Sequence, residues 1–398
     1  MMKKTDNKVP LIRFCGFKED WEEKSIGTVL SEVKRSIVLE DSQQYRLITV
    51  KRRNGGVVSR GHLFGKDILV KNYTQLQAGD FIISKRQVVH GATGIIPAKL
   101  DKSIASNEYL VAVGNSEIST EFLTITSSLP NMKRKFFLSS YGVDIEKLFF
   151  DAEDWKKRGI TIPSVFEQKK ICKYFNELDR LIEFHQRKHE KLVTLKQAML
   201  QKMFPQSGTT RPEIRFKGFS DNWVEMPFNL MTSRATQFCT EEGLPRLEYE
   251  DIVSDTGLLN KDLSRKKSNK KGIRFEKGDV LFGKLRPYLK NWLLASFDGI
   301  AVGDFWVLKP SKTVPSFLYR LIQTEKFEII ANQSAGSKMP RSDWNLVSNS
   351  SFHIPSNLAE QQRIGTYFCN LDELISQHST QLEKLKQIKS ACLAKMFV

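Results

Sequence analysis

Four places in this chain carry residue types at spacings that could do chemistry. Gly79-Asp80-Phe81-Ile82-Ile83-Ser84-Lys85 and Gly278-Asp279-Val280-Leu281-Phe282-Gly283-Lys284 each set a carboxylate five residues before a lysine. A metal-dependent nuclease uses such a pair to hold a cation and steady a phosphate. Both lack a Glu-x-Lys element at the needed place, and the lysines fit contact with a polyanion better. His185 and His189 stand four apart, as metal ligands on one helix face do, but both fall on an apolar seam. Gly61-His62-Leu63-Phe64-Gly65-Lys66-Asp67 is one residue short of a phosphate loop and lacks its hydroxyl. Five cysteines, with no CxxC pair, give neither a disulfide framework nor a zinc knuckle. The Asn/Asp-Pro-Pro-aromatic tetrad of amino-methyltransferases and a Gly-rich cofactor loop are missing from the sequence. These residues point to binding, with no catalytic residue and no metal ligand to assign.

What would be bound follows from charge. Lys and Arg number 62 against 45 acids, a formal +17, with a pI near 9.5. So large an excess favours a polyanionic partner. It is also clustered: residues 51–102 hold ten basic side chains against three acids, and residues 261–290 eleven against three. In the first run Lys51, Arg52, Arg53 and Arg60 flank the turn Asn54-Gly55-Gly56. Lys85, Arg86, Gln87 and His90 follow a strand end, a place suited to base-edge contact. Lys284, Arg286, Tyr288 and Lys290 occupy the matching place in the second run. The 398 residues, 40% hydrophobic and 27% charged, suit two or three folded domains. No apolar run is long enough for a membrane span, and no apolar core follows the basic start, so a cytoplasmic protein with no membrane partner is expected.

An internal repeat organises these sites. Ile12-Arg13-Phe14-Cys15-Gly16-Phe17-Lys18-Glu19-Asp20-Trp21 recurs as Ile214-Arg215-Phe216-Lys217-Gly218-Phe219-Ser220-Asp221-Asn222-Trp223, identical at six of ten positions. Residues 167–204 match 360–397 at 19 of 38 positions, and both copies close on Lys-Met-Phe. Between the copies the sequence differs. Each long copy has a helical seam with alternating steps of three and four. The seam residues are Ile171, Phe175, Leu178, Ile182, His185 and Leu192 in the first copy, and Ile364, Phe368, Leu371, Ile375, His378 and Leu385 in the second. Pro163 and Pro355 stand just outside the helix starts and Pro205 ends the first.

A helix with such a stripe needs a partner, and the two copies suit each other, antiparallel, with His185 facing His378. Tyr174, Leu181, Phe184, Leu200, Tyr367, Leu374 and Leu393 lie off the seam and would cover either a partner or the variable domains. Short β-like runs are expected at 45–50, 68–70, 80–84, 109–113, 122–126, 279–282, 292–295 and 305–308, with helix at 316–333 and 144–150. The fold class expected is α+β: two mixed α/β domains separated by two long antiparallel coiled-coil helices, in a pseudo-two-fold repeat. Boundaries fall at 1–160, 161–205, 206–352 and 353–398.

Two dissimilar domains, each followed by a similar long helix, resemble the specificity subunit of type I restriction–modification systems over essentially the whole chain. Specific to that resemblance are Ile-Pro leading to Glu-Gln-x-x-Ile (Ile354, Pro355, Glu360, Gln361, Ile364), the closing Lys-Met-Phe, and the stretch 278–288. The first helix entry is one residue shorter (Ile162 to Glu167). The resemblance implies that each variable domain is a target-recognition domain reading half of a split double-stranded DNA sequence. It implies spacer helices that dock two methyltransferase subunits, which use S-adenosylmethionine on adenine. Two motor-nuclease subunits, using ATP and Mg, are implied too, with no cofactor bound by this chain. Ser337, Lys338 and Arg341 would belong to the family's Gly-Ser-rich recognition loop. A two-reader DNA-binding regulator acting without a methyltransferase is the alternative.

Overall fold

Two helices of 38 residues, Val165–Lys202 and Leu358–Lys395, are the longest elements. Their sequences contain no proline and one glycine, Gly365. A Cβ at Gly365 would lie 2.0 Å from Ser316 Oγ, so the helix keeps a poor helix former where another segment crosses closely. The computed structural model describes residues 9–69, 72–206, 208–263, 268–333 and 339–398, apart from the Lys147 side chain. The chain divides into two compact units. Unit 1 runs to Glu183 and takes back Glu383–Val398, and unit 2 is Phe184–Leu382. Each unit therefore owns the beginning of one long helix and the end of the other.

Unit 1 is α+β. A four-stranded antiparallel sheet has the order Leu30–Glu32, Tyr109–Gly114, Phe81–Ser84, Thr93–Ile95. A five-stranded sheet runs Ser36–Ile37, Tyr73–Gln75, Ile104–Ser106, Gln44–Val50, Val57–Phe64, with one parallel step between Ile104–Ser106 and Gln44–Val50. Glu22–Ser25 pairs with Gly159–Ile162 beside the long helix. Unit 2 repeats this plan. Its sheets run Thr232–Ala235, Phe305–Pro310, Val280–Gly283, Trp292–Leu294 and Phe238–Cys239, Gly272–Phe275, Gly299–Ala301, Arg246–Leu247, the last pair again parallel. Trp223–Pro227 pairs with Ser351–Pro355. Among the described residues unit 2 has no counterpart of the long strand Val57–Phe64.

The duplicated motifs meet within each unit. Arg13 donates to both Glu167 oxygens at 2.8 Å, and Arg215 to both Glu360 oxygens at 2.6 and 2.7 Å. Both glutamates are 1% exposed, and the bidentate bonds raise both arginine pKa values. The following glutamines are latches. Gln168 Nε2 donates to the Pro163 carbonyl and its Oε1 accepts from Ser119 N, while Gln361 does the same with Pro355 and Val314. The closing phenylalanines complete two aromatic cores. Phe397 lies 5.8–6.1 Å from Phe122, Phe175 and Trp21, and Phe204 lies 5.4–6.4 Å from Phe317, Trp223 and Phe368.

Several local expectations are corrected. Residues 122–126 are not a strand but lie in the helix Thr120–Ser127. Ser119 Oγ caps it by accepting from Phe122 N, and Phe122, Leu123, Thr126 and Ser127 are buried at helical spacing. Ile68 and Leu69 are not strand either; they follow a single 3-10 turn, Gly65–Asp67, while Val70 lies outside the described residues. The helix expected at 144–150 is one turn, Ile145–Lys147, then the strand Phe149–Phe150. The helix expected at 316–333 is two, Pro315–Leu321 and Glu325–Ala331. Thr324 makes the break, its hydroxyl donating to the Leu321 carbonyl at 2.7 Å.

Candidate nucleic-acid interface

The repeated Gly-Asp turns come first because they deliver the loops. Gly79 and Gly278 take φ of +93° and +97°, a region open to glycine at little cost. Asp80, 2% exposed, accepts Arg35 at 2.7 and 3.0 Å and Gln77 N at 2.8 Å. Asp279 accepts Lys309 at 3.2 Å and Glu276 N at 2.8 Å. Both carboxylates are occupied as turn locks, which accounts for the repeated Gly-Asp pair. Among the described residues no group of three or more His, Cys, Asp or Glu is placed to hold a metal.

Beyond each turn a strand carries the chain to the candidate residues. Lys85 N donates to the Glu108 carbonyl, and Lys284 N to the Asp304 carbonyl, at 3.0 and 2.9 Å. In unit 1 the turn at 51–56 folds onto the loop at 85–91. Arg53 N donates to the His90 carbonyl at 2.7 Å and Asn54 N to the Gly91 carbonyl at 2.9 Å. A Cβ at Gly91 would crowd Asn54 Oδ1 at 2.9 Å. Thus Lys51, Arg52, Arg53, Lys85, Arg86, Gln87 and His90 share one surface. Arg60 stands apart, at the bulge where the pairing of Val57–Phe64 with Gln44–Val50 slips.

In unit 2 Lys284 and Arg341 gather around Asp304, with Arg286 in the adjoining loop. Lys284 Nζ and Arg341 Nη2 reach its carboxylate at 3.3 and 3.2 Å. Arg286 N donates to the Pro340 carbonyl at 2.8 Å, and Ser342 N to the Lys284 carbonyl at 2.9 Å. Tyr249 supports the loop from below, donating to the Asp304 carbonyl and accepting Leu285 N at 3.2 Å. Burial raises the Tyr249 hydroxyl pKa, so it stays a donor. Tyr288 is exposed, whereas Lys290 is held by Glu328 at 2.8 Å over the Trp292 ring. Ser337 and Lys338 lie outside the described residues.

Arg53, Asn54, Arg286 and Lys290 all have positive φ, from 49° to 57°. Non-glycine residues rarely sit there, and such strain gathers at functional sites. Local acids divide the cations into two kinds. Arg52 pairs with Glu146 at 2.8 Å and Arg86 with Glu108 at 2.8 Å. Among the described residues Lys51, Arg53, Arg60 and Arg286 have no acid partner, so their charge is available to a polyanion. Much of the second basic run is internally matched: Lys270 meets Glu248, Arg274 meets Glu241, and Lys261 meets Asp251. Buried Arg246 anchors it by donating to the Lys270, Leu244 and Glu241 carbonyls.

Apolar residues of the two long helices pack together within each unit. Ile171, Phe175 and Leu178 share a core with Met396, and Leu385 packs against it. Ile364, Phe368 and Leu371 share one with Met203 and Phe204, and Leu192 packs against it. Ile182 and Ile375 are half-buried. His185 and His378 meet Nδ1 to Nδ1 at 2.9 Å in unit 2, a bond that needs one ring nitrogen protonated and the other bare. Desolvation, then His185, Lys188 and His189, lower the His378 pKa. A repeated Asp and a repeated Lys exchange partners: Lys389 bonds Asp179 in unit 1, and Lys196 bonds Asp372 at 2.6 Å in unit 2.

Of the off-seam residues, Tyr174 packs on Phe14 and Tyr367 on Phe216, at 5.9 and 6.0 Å. Leu200 and Leu393 join their units' cores. Leu181, Phe184 and Leu374 remain exposed.

A sequence family described as the type I restriction modification DNA specificity domain matches residues 18–194, the first domain and most of the first long helix. The chain is 21% identical over 417 residues to the type I restriction enzyme MjaVIII specificity subunit of Methanocaldococcus jannaschii, covering 93% of this chain and 90% of that one. Over nearly its whole length the chain is similar to type I restriction–modification specificity subunits. The EcoDI specificity subunit of Escherichia coli is 27% identical over 128 residues, 31% of this chain and 28% of that one. The crystal structure of a type I restriction-modification system S subunit from M. genitalium has the same fold, with a TM-score of 0.63 at 12% identity over 98% of this chain and 99% of that one. Specificity subunits are the DNA-recognition subunits of their systems and are non-catalytic. Its arginine clamps, Arg13 and Arg215, were visible in the sequence only as repeated letters. Glu108, Glu146 and Asp304, which decide the free cations, left no local signal.

Proposed function

We propose that each unit reads one half of a split double-stranded DNA target, and that this chain directs the adenine methylation and ATP-dependent cleavage carried out by partner subunits. The observation that carries this is the duplicated loop frame. In each unit a cation with no acid partner among the described residues stands at the loop that follows the Gly-Asp turn: Arg53, whose N donates to the His90 carbonyl, in one, and Arg286 in the other. Backbone-positioning and base-reading groups can then act at two separate half-sites.

The paired helices set the gap between half-sites, near one helical turn or roughly 10 bp. Their exposed Leu181, Phe184 and Leu374 offer apolar surface for two methyltransferase subunits, with two motor-nuclease subunits completing the complex. S-adenosylmethionine, ATP and Mg are used by those partners.

Modified-base sequencing of the host genome with the gene intact and deleted tests this reading. A split motif methylated on adenine should vanish on deletion. An unchanged methylome, together with no methyltransferase captured by the chain, would instead mark a DNA-binding regulator.

A further inference from the structure

Between the helix Pro130–Leu138 and the strand Phe149–Phe150, unit 1 exposes an unusual amount of apolar surface. Phe137, Leu138, Tyr141, Val143 and Ile145 are each more than half exposed, and Val143 is fully so. Patches of this kind on a folded unit mark contact surfaces. The segment is braced. Ser140 and Tyr141 pair with Phe150 and Phe149, and the Tyr141 ring lies 5.7 Å from that of Phe149. Glu146 receives Arg52 at 2.8 Å and approaches His90 Nε2 at 3.5 Å. Arg86 sits over the Phe149 ring at 5.6 Å. Phe150 N donates to the Lys85 carbonyl at 3.1 Å, as Ser342 N does to Lys284 in unit 2. An apolar tip is thereby fixed beside the cations of the candidate interface.

We propose that residues 141–146 form a base-reading finger, with Val143 against a base edge in the major groove and Glu146 as its positioning residue. The flanking cations suit phosphates, and an isopropyl group at the tip suits the thymine methyl. The finger rests on DNA recognition by this chain. It adds a residue that carries no charge and lies 41 residues beyond Lys102, the end of the basic run.

The full-length chain should be used to select duplexes from a randomised pool, as wild type, Val143→Ser and Glu146→Gln. Val143→Ser is expected to relax preference for a T·A pair at one position by about tenfold, leaving other positions alone. Glu146→Gln should blur that same position only. Base preference unchanged at every position in Val143→Ser would overturn the finger. So would unchanged preference accompanied by lost capture of a methyltransferase, which would make the tip a protein contact. Failure of the wild type to enrich any sequence would overturn DNA recognition itself, a result separable from failure of the finger.

Discussion

Units 1 and 2 share a frame and differ in what they hang on it. Both lock an arginine to a buried glutamate, latch a glutamine between two segments and seat a phenylalanine from the end of a long helix. On that frame unit 1 builds a long hairpin whose second strand is exposed from Ser59 to Phe64, while unit 2 builds a lysine-rich segment pinned by Arg246. Their helix contacts differ as well. Asp179 has Lys389, whereas Asp372 takes both Lys196 and buried Arg320, each at 2.6 Å. Counted from the backbone donors Ser119 and Val314, the unit 1 position matching Arg320 is Ile125. Parts that make the fold are duplicated, and parts that face outward have diverged. Specificity can change without the scaffold changing.

The largest expected effect would test that shared frame. Replacing a buried carboxylate strands its arginine, which costs about 3–5 kcal/mol. Glu360→Ala should sit at the upper end, because Trp223 Nε1 also approaches Glu360 at 3.4 Å. Glu167→Ala should sit lower, and hydrogen exchange should report each loss in its own unit. Equal losses in both units from either variant would break the comparison.

Next comes Phe397→Ala, a half-buried ring whose removal should cost about 2–3 kcal/mol, below the range for a fully buried phenylalanine. Protection should fall around Trp21 and Phe122 and hold around Trp223. The outward differences can be sharpened by Arg286→Ala and Arg86→Ala in duplex titrations. Arg286 has no acid partner among the described residues, so its loss should weaken binding to cognate DNA about tenfold to a hundredfold. Arg86 is already matched by Glu108, and its loss should cost only a few-fold. A uniform loss on all duplexes from Arg286→Ala would make it a phosphate contact.

The smallest effect should be the histidine pair, present in unit 2. A histidine whose folded pKa is lowered adds stability above its unfolded pKa, near 6.5, that fades as pH falls toward the folded value. Unit 2 should therefore soften as the pH falls below about 6.5. His185→Leu with His378→Leu should remove that acid-side slope and stabilise the helix pair. A slope that survives the double replacement would place its origin elsewhere.

The long helices could be read from sequence because their apolar period repeats over 38 residues without a breaker, twice. The strands beside Asp80 and Asp279 could be read because a turn signal precedes a short apolar run. Residues 122–126 misled, since Phe-Leu-Thr-Ile-Thr has strand composition and its helix depends on one serine cap and tertiary burial. The candidate loops were found by charge, but not which cations remain free. That depends on acids far along the chain, as with Arg52 and Glu146, 94 residues apart. The exposed apolar residues Tyr141, Val143 and Ile145 were invisible to a search for basic charge.

The seating of Phe397 and Met396 in unit 1 also sets an order of assembly during translation. Unit 2 is made from one continuous stretch, Phe184–Leu382, whereas unit 1 waits for Glu383–Val398. Domains ordinarily fold in the order they leave the ribosome. Here the segment synthesised first is finished last, with the aromatic slot beside Trp21 standing open until the late helix end arrives. A ribosome that stops before Met396 would release a chain whose later unit is whole and whose earlier unit is not.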